Sequence, residues 1–458
     1  MIRDLAELAR VTGGVLDGAN AAFGAVLSDS RALEPGALFV ALRGERFDGH
    51  EFVPEAQRRG AAGALVERRA AVPLPQVVVP DALAGLTAFA AAWRRDFDGA
   101  VVGITGSNGK TTVKEMIGSI LACQGPTLVT RGNLNNHIGV PLTLCRLEAS
   151  HRYAVIEMGA NHQREIAHLA SIARPDVGLV INAGPAHLEG FGGLEGVAKG
   201  KGEMFEALGI EQAAVINADD RFAAYWHGLA RGAGRVFTFG MREHADFTAH
   251  DVRTRAAGDG SVSDFELVTP AGRRAVTLSL AGEHNVMNAL AAAAATHAAG
   301  AGLDAIVEGL TRVRAVAGRL DIRPLPGGAR LVDDSYNANP GSVRAGLRAL
   351  AALGGQHWLV LGEMRELGEE SSPLHAEIGA FARETGVRRL YAVGDDARHA
   401  VEAFGEGATW FAEVEELIDV LRAELAPGVT VLVKGSRSNR LERVAAALGA
   451  GAADGRAH

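Results

Sequence analysis

The segment from 103 to 112 combines three glycines with a lysine and three threonines, in the order Gly-Ile-Thr-Gly-Ser-Asn-Gly-Lys-Thr-Thr. It lies between an apolar run at 100–104, which predicts a buried strand, and a segment that predicts a helix. In that position, backbone N–H groups and the helix N-terminus can point at phosphate oxygens. A lysine at the loop end neutralises the β- and γ-phosphates, and the next threonine ligates Mg²⁺. The segment therefore predicts a nucleotide-phosphate site with Lys110 and Thr111 in these two roles.

The match is to a variant of the usual phosphate loop, because Ile104 stands where that pattern has a glycine. The alternative is a glycine-rich turn between strand and helix that binds no ligand. The residues predicted to bind phosphate are Gly106, Ser107, Asn108, Gly109, Lys110, Thr111 and Thr112.

Two further polar residues follow apolar runs that predict strands. Glu157 lies near the end of the run at 154–158, and His187 lies just past the run at 177–181. The carboxyl ends of parallel strands line the ligand crevice of an open α/β sheet, so both residues would converge near the phosphates. Mg²⁺ prefers oxygen ligands, so a histidine ligand is a minority choice. Each residue could instead be an ordinary loop residue.

Lysine is rare in this chain, with only five among 46 cationic residues: Lys110, Lys114, Lys199, Lys201 and Lys434. Arginine and lysine are not chemically interchangeable, so these positions are candidates for chemistry, although codon bias could also leave five survivors. A lysine at 201, close to Mg²⁺ and Lys110, would be shifted towards the neutral amine. A neutral amine can take up CO₂ and become an anionic carbamate. From the residues alone, a solvated or salt-bridged Lys201 is the simpler interpretation.

Length and composition bound the class of protein. The chain has 458 residues, which at about 150 per domain predicts roughly three domains. A formal charge of -8 argues against a general nucleic-acid binder. The two cysteines suggest neither a disulfide framework nor a metal knuckle. Without an apolar signal core at the N-terminus or a membrane span, we expect a cytoplasmic protein.

The order of predicted elements indicates an α/β fold. Strands alternate with helices from residue 100 onwards, which implies a mainly parallel sheet. Alternating β-type segments interrupt this pattern at about 236–281, and a helix follows from about 285 to 299. A hinge is predicted at 316–320, and a second α/β alternation begins at 330.

Taken together, these motifs resemble the Mur ligases in order and spacing over nearly the whole chain. The resemblance rests on the phosphate loop, Glu157, His187 and Lys201, and on the segments 282–288 and 333–340. Four further segments are similar to the branch of that family that adds D-alanyl-D-alanine: 42–50, 132–141, 361–368 and 434–437.

The resemblance implies a three-domain α/β architecture. A small α/β N-terminal domain over 1–80 would bind the UDP-sugar-peptide. A central domain over 81–314, a mainly parallel sheet with helices and a phosphate loop, would hold ATP. A Rossmann-like α/β domain over 315–458 would complete the site.

The resemblance also implies roles for individual residues. Glu157, His187 and Thr111 would ligate Mg²⁺ together with Lys201, which would be the carbamylated lysine and would bind the ion through its carbamate. Lys110, Lys201 and His187 would serve catalysis. The nucleotide-side residues would be Asn285, Asn288, Arg319 and Asp334; the uridine-side loop would contain Ser28, Ser30 and Arg31; and Asn135, Asn136 and His137 would face the muramoyl part.

The activity implied is ATP-dependent ligation of D-alanyl-D-alanine to UDP-N-acetylmuramoyl-tripeptide through an acyl phosphate, in peptidoglycan precursor synthesis, by a monomer. Lys434, Arg437 and Arg365 are candidates for binding the dipeptide carboxylate, since an arginine fork can bind it with two hydrogen bonds. Three alternatives stay open. They are a ligase that adds a single amino acid or extends folate with glutamate, a phosphate-loop ATPase acting as a regulator or transport motor, and a non-catalytic nucleotide-sugar binding module.

The lysine pattern yields a first prediction. Lys110→Arg and Lys201→Arg should each abolish ATP-dependent ligation, because arginine supplies neither a compact ammonium nor a reactive amine. Lys114→Arg, which has no assigned role, should be nearly silent. Phosphate release in the presence of all substrates measures both effects, and equal tolerance of all three changes would contradict the argument from lysine usage.

Overall fold

The computed structural model of the chain describes residues 3–44, 47–257 and 260–449. Glu45 and Arg46, in the segment 42–50 that carries part of the family resemblance, lie outside the described residues, as do 1–2 and 450–458 of the predicted terminal domains. Four sheets of five, six, three and six strands occur within the described ranges.

The first sheet has the strand order β1-β5-β4-β3-β2, with β1 antiparallel to β5 and the other pairs parallel. It is followed by α3, whose N-terminus is capped by Asp81. Phe89 and Trp93 of α3 belong to a core shared with the next sheet, and the Trp93 indole N–H donates to the carbonyl of Leu147 at 2.9 Å. The elements are α1 (Leu5–Thr12), β1 (Val15–Asp17), β2 (Val26–Leu27), β3 (Leu38–Val40), α2 (Val53–Arg58), β4 (Gly63–Val66), β5 (Gln76–Val78) and α3 (Ala82–Arg95).

The central sheet is parallel throughout, in the order β11-β10-β9-β6-β8-β7. Its first strand, β6, lies between β9 and β8, so the strand order reverses there and opens a crevice at the carboxyl ends of these three strands. The elements are β6 (Ala100–Thr105), α4 (Lys110–Ala122), β7 (Thr127–Val129), α5 (Gly139–Leu144), β8 (Tyr153–Glu157), α6 (Glu165–Ala173), β9 (Val177–Val180), α7 (Leu188–Phe191), α8 (Leu194–Glu206), β10 (Ala213–Asn217), α9 (Ala223–Leu229) and β11 (Arg235–Phe239).

A three-stranded antiparallel meander follows, and after it come two helices. The first of the helices is buried on nearly all sides, and its run Ala289–Ala295 is almost entirely inaccessible. Such a helix must pack against neighbours all round, and its small side chains let it approach α4 and the central sheet closely. The elements are β12 (Thr248–Ala257), β13 (Gly260–Thr269), β14 (Gly272–Leu278), α10 (Glu283–Ala298) and α11 (Leu303–Arg312).

The last sheet has the order β15-β16-β20-β17-β18-β19, with only β15 antiparallel to its neighbour among the described pairs. Its first helix, α12, starts with a capping box in which Asn339 and Ser342 bond each other's backbone N–H groups. The elements are β15 (Asp321–Pro324), β16 (Arg330–Asp333), α12 (Pro340–Ala351), β17 (Gln356–Gly362), α13 (Ser371–Glu384), β18 (Val387–Val393), α14 (Arg398–Phe404), β19 (Ala408–Phe411), α15 (Val414–Glu424), β20 (Val429–Lys434) and α16 (Glu442–Gly449).

These sheets confirm the predicted α/β class and the mainly parallel central sheet. The predicted hinge at 316–320 contains two left-handed residues, Gly318 at φ 73° and Leu320 at φ 51°. The domain boundaries at 80/81 and 314/315 stay predictions. None of the helices in the described part of the chain is long and apolar enough to cross a membrane.

Candidate active site

The phosphate loop lies where the sequence placed it, between β6 and the N-terminus of α4. Gly109 has φ 84°, a left-handed conformation, and a Cβ there would lie 2.5 Å from the side-chain oxygen of Asn288. Only glycine fits both conditions. The Lys110 ammonium donates to the carbonyl of Gly106 at 2.7 Å, so the lysine folds back over its own loop. Burial lowers the Lys110 pKa, which the carboxylate of Glu157 opposes.

The loop is fixed to the segment after β9. The backbone N–H of Asn108 donates to the side-chain oxygen of Asn182 at 2.9 Å, and the Asn182 amide donates back to the Asn108 carbonyl at 3.2 Å. The Ser107 hydroxyl bonds both the carbonyl and the N–H of Gly184, at 3.1 and 3.0 Å. Asn182 is not predicted as a site residue from the sequence, because nothing local distinguishes it from other loop residues.

Glu157 ends β8 with its carboxylate facing the first turn of α4, and it is 2% exposed. The Thr111 hydroxyl donates to its Oε2 at 3.1 Å, and the Asn135 amide donates to its Oε1 at 2.8 Å. The Lys114 ammonium lies 3.7 Å from Oε2. Glu157 therefore links the phosphate loop to the segment that contains Asn135.

Lys201 lies on α8 and is 1% exposed. Its ammonium donates to the carbonyl of Ala160 at 3.3 Å and lies 5.2 Å from the ring centre of Phe191. Burial, and next the positive charge of Lys110, hold the Lys201 pKa well below its usual range. The solvated lysine considered from sequence is therefore excluded, and Lys201 has the environment of a reactive amine.

His187 adopts a left-handed conformation at φ 55° just before α7. Its Nδ1 contacts the carboxylate of Glu366, which lies in the loop after β17 of the last sheet. The His187 side chain, hydrogen-bonded to Glu366, lowers the pKa of that carboxyl. The contact joins the central and last sheets next to the cavity.

The residues present fit a Mg²⁺ ion bound jointly with phosphates. No cluster of three or more His, Cys, Asp or Glu side chains suitable for a metal occurs within 3–44, 47–257 and 260–449. Mg²⁺ does not need such a cluster, because it binds through one or two carboxylates, substrate phosphates and water. The Glu157 carboxylate and the Thr111 hydroxyl, hydrogen-bonded at the phosphate loop, supply oxygen donors of that kind.

Asn285 and Asn288 lie in the first turns of α10 and are 5% and 7% exposed. The Asn285 amide donates to the carbonyl of Ala281 at 2.8 Å, and the Asn288 amide donates to the Asn285 side-chain oxygen at 3.3 Å. Asn288 also packs against Gly109, where any side chain would collide with the Asn288 amide oxygen. These two asparagines thus form the wall of the site beside the phosphate loop.

The last sheet contributes a buried ion pair. The Lys434 ammonium donates to Asp334 Oδ2 at 2.6 Å and to the carbonyl of Asn337 at 2.9 Å. Burial raises the Asp334 pKa, and Lys434 opposes that shift. Lys434 therefore already has a buried carboxylate partner within the chain, which weakens its predicted role in binding the dipeptide carboxylate.

Two further contacts join the last sheet to the phosphate loop and the hinge. The Asn339 amide donates to the side-chain oxygen of Asn108 at 2.7 Å. The Arg319 guanidinium lies 4.1 Å from the ring centre of Tyr336, and that of Arg437 lies 5.8 Å from the same ring. Arg319, Tyr336 and Arg437 all line the cavity.

One cavity of about 1080 Å³ brings most of the predicted residues together. The Lys201 ammonium donates to the carbonyl of Ala160, and Ala160 lines the cavity. The predicted residues that line it are Ser107, Asn108, Gly109, Lys110, Thr111, Thr112, Asn135, Asn136, His137, Glu157, His187, Asn285, Asn288, Arg319, Asp334, Lys434 and Arg437.

Four predicted substrate-binding residues do not line this cavity. Ser28, Ser30 and Arg31 follow β2 in the first sheet, where Arg31 pairs with Asp29 at 2.8 Å. Arg365 pairs with Glu363 at 2.8 Å in the last sheet. Their predicted roles stay predictions.

Comparisons with known proteins agree over the whole chain. Three family profiles match: "Mur ligase family, catalytic domain" at 23–93, "Mur ligase middle domain" at 104–296 and "Mur ligase, glutamate ligase domain" at 318–437. The UDP-N-acetylmuramoyl-tripeptide--D-alanyl-D-alanine ligase of Escherichia coli K12 is 45% identical over 97% of this chain and 98% of its own length.

Solved structures show the same similarity. A crystal structure of MurF from Acinetobacter baumannii has a TM-score of 0.90 and 36% identity, covering 98% of this chain and 99% of that one. The MurF ligase of Thermotoga maritima, solved in complex with ADP, has a TM-score of 0.80 and 28% identity, covering 93% and 97%.

The burial of His284 at the cavity wall yields a prediction on acid stability. Burial, and next the charge of Lys434, lower the His284 pKa to about 4. Below its ordinary pKa of about 6.5, the unfolded chain binds a proton that the folded protein does not, so stability falls between pH 6.5 and 4. In His284→Gln, the Tm should therefore rise relative to wild type as the pH falls through that window.

The matched control is His227→Gln, which changes an exposed histidine on α9. Its Tm should run parallel to that of wild type from pH 7.5 to 4.5. A difference between His284→Gln and wild type that does not change with pH would contradict the prediction.

Proposed function

The chain belongs to the Mur ligase family, in its MurF branch, and we propose that its cavity joins D-alanyl-D-alanine to the peptide carboxylate of UDP-N-acetylmuramoyl-tripeptide while ATP is converted to ADP and phosphate. The observation that carries this proposal is the convergence of the phosphate loop, the Asn135 segment and the last sheet on one cavity. A reaction of three substrates needs one chamber that all three can enter.

The first step must activate a carboxylate, which is a poor electrophile. One carboxylate oxygen attacks the γ-phosphorus of ATP, the bond to the β-phosphate oxygen breaks, and ADP leaves. Little covalent work falls to the protein, so its contribution is positioning and charge. Lys110 and the loop N–H groups would hold the β- and γ-phosphates, and Arg319, which lines the same cavity, would add positive charge near them.

The second step forms the amide. The free amine of the dipeptide attacks the acyl carbon, a tetrahedral intermediate forms, and its collapse releases phosphate with the oxygen that came from the carboxylate. A proton leaves the amine during this step and passes to the released phosphate or to solvent. Closure of the cavity would exclude water, which would otherwise hydrolyse the acyl phosphate.

Glu157, Thr111, His187 and the carbamate of Lys201 are the groups that would hold Mg²⁺. The ion, when bound, neutralises charge on the transferring phosphoryl group. Thr111 and Glu157 are already hydrogen-bonded to each other, which supports their shared role. His187 faces Glu366 here, so its side chain would exchange one partner for another on binding.

Lys201 is the residue that would be carbamylated. A neutral amine attacks CO₂, forms an N–C bond and releases one proton, leaving an anionic carboxylate on the side chain. The support for this proposal is the nearly complete burial of Lys201 and its lowered pKa. The carbamate would place a negative charge near the positive charge of Lys110.

The remaining substrate contacts are proposed from the resemblance to the family. The Asn135, Asn136 and His137 segment would face the muramoyl peptide, Asn285, Asn288 and Asp334 the nucleoside of ATP, and Ser28, Ser30 and Arg31 the uridine end. Arg437 pairs with Glu442 at 3.4 Å, but its guanidinium is exposed and it lines the cavity. It is therefore favoured for the dipeptide carboxylate over Lys434, which is buried in its pair with Asp334, and over Arg365, which does not line the cavity. Cytoplasmic location and a monomeric state stay predictions.

The test of the function is acceptor choice. With ATP, Mg²⁺ and the sugar-nucleotide tripeptide, phosphate release should require D-alanyl-D-alanine and should stay at background with meso-diaminopimelate, L-lysine or glutamate. Release without any acceptor would favour a simple ATPase. Release with one of the single amino acids would instead assign the chain to another branch of the family.

The test of the carbamate uses ¹³C-labelled bicarbonate and NMR. Wild-type protein should show one bound carbamate carbon that disappears in Lys201→Arg and survives in Lys199→Arg, which changes the exposed neighbour on the same helix. A spectrum without that signal in wild type, or with the signal in Lys201→Arg, would contradict the assignment.

A further inference from the structure

Lys114 is a buried lysine for which the reaction outlined above has no use. It lies on α4 and is 1% exposed, as fully enclosed as Lys201. A buried ammonium is costly unless it is paired and hydrogen-bonded, so its partners must compensate for the lost water. This burial argues against the expectation that Lys114→Arg would be nearly silent, since a larger guanidinium would have to enter a filled space.

The ammonium of Lys114 has three oxygen neighbours. They are Glu157 Oε2 at 3.7 Å, Glu115 Oε1 at 3.1 Å and the carbonyl of Gly132 at 3.5 Å. Glu115 is its chain neighbour and is partly exposed, so that contact supplies charge balance at the rim. The other two neighbours belong to β8 and to the segment after β7, which are separate parts of the site.

Helix geometry places Lys114 beside the phosphate loop. Residues three apart lie on one face of a helix, so Lys114 and Thr111 point in the same direction. Both reach the same carboxylate oxygen, Oε2 of Glu157. A change at Lys114 would therefore be felt at the threonine that ends the phosphate loop.

The contact with Gly132 lies at the start of the segment that faces the other substrate. Gly132 has φ 53°, a left-handed turn that sets the direction of the residues after it. Asn135, Asn136 and His137 follow within the same segment and line the cavity. Asn135 also bonds Glu157, through Oε1. The segment is thus held to Glu157 at two points, directly by Asn135 and through Lys114 at Gly132.

We propose that Lys114 is a positioning residue that couples nucleotide binding to binding of the sugar-nucleotide peptide. Its ammonium holds the Gly132 turn and the Glu157 carboxylate in one arrangement, so that ordering of the phosphate loop by nucleotide also orders the 132–137 segment. Lysine suits this position because a compact ammonium can satisfy a carboxylate and a carbonyl at once. The inference rests on the proposed function, since it concerns the same two ligands.

The experiment measures the Kd of UDP-N-acetylmuramoyl-tripeptide by calorimetry, with and without a non-hydrolysable ATP analogue and Mg²⁺. In wild type the analogue should tighten that Kd by about tenfold, the size of a typical coupling between sites. In Lys114→Met, which keeps the length of the side chain and removes the charge, the two Kd values should differ by less than about twofold. The Kd of the analogue alone should change by less than about threefold.

The control is Lys199→Met, the same substitution at an exposed lysine on α8, which should keep the wild-type ratio of the two Kd values. A merely structural role would lower the Tm and weaken both ligands alike, so the Tm and the analogue Kd distinguish it from coupling. Full coupling in Lys114→Met, or equal weakening of both ligands, would overturn the proposal.

Asn135→Ala provides a second route, because it removes the other point that holds the segment. If both contacts hold the same conformation of the 132–137 segment, the double variant with Lys114→Met and Asn135→Ala should raise the KM for the sugar nucleotide by less than the product of the two single effects. Independent, multiplying effects would count against a shared arrangement. If wild type fails to bind the sugar nucleotide, the proposed function itself is refuted, whereas binding without coupling in wild type refutes only the role of Lys114.

Discussion

The carboxylate of Glu157 is buried, and a buried charge is stable only with partners. Here those partners come from different parts of the chain: Thr111 and Lys114 from α4, and Asn135 from the segment after β7. Satisfying this one group therefore brings together the end of a strand, the first turns of a helix and a loop. The same group lies at the switch point of the central sheet, where a ligand crevice is expected. The local structure around the cavity and the position of the site therefore both depend on providing partners for the buried Glu157 carboxylate.

The cavity also depends on contacts with the last sheet. Asn339 bonds Asn108 of the phosphate loop, and Glu366 contacts His187. Both contacts are polar, and Leu188 of α7 also packs against the apolar core of the last sheet. The left-handed Gly318 and Leu320 of the hinge lie between the two units. A ligase that must admit three substrates and then exclude water needs an interface of this kind.

Much of this arrangement was predictable from sequence, because it follows local rules. The strand at 100–105, the loop after it and the helix from Lys110 are set by an apolar run and by glycines, and the ends of β8 and β9 follow from their apolar runs. The family resemblance then supplied roles, which local pattern could not.

The contacts that sequence did not predict join distant segments. Asn339 and Asn108 are 231 residues apart, and Glu366 and His187 are 179 apart, so no spacing rule relates them. The sequence also did not predict which lysine is buried. Lys114 and Lys199 both lie on helices, yet Lys114 is buried beside Glu157 and Lys199 is exposed. The difference is made by which face of each helix the tertiary fold covers.

The central claim is that the peptide carboxylate is activated by phosphoryl transfer within this cavity. The most direct measurement starts from sugar-nucleotide peptide labelled with ¹⁸O in both oxygens of its reacting carboxylate and follows the label by mass spectrometry of the released phosphate. The account predicts one ¹⁸O atom in each phosphate, because a carboxylate oxygen bridges carbon and phosphorus before the amine displaces it. Phosphate without ¹⁸O, formed while the amide is made, would contradict it.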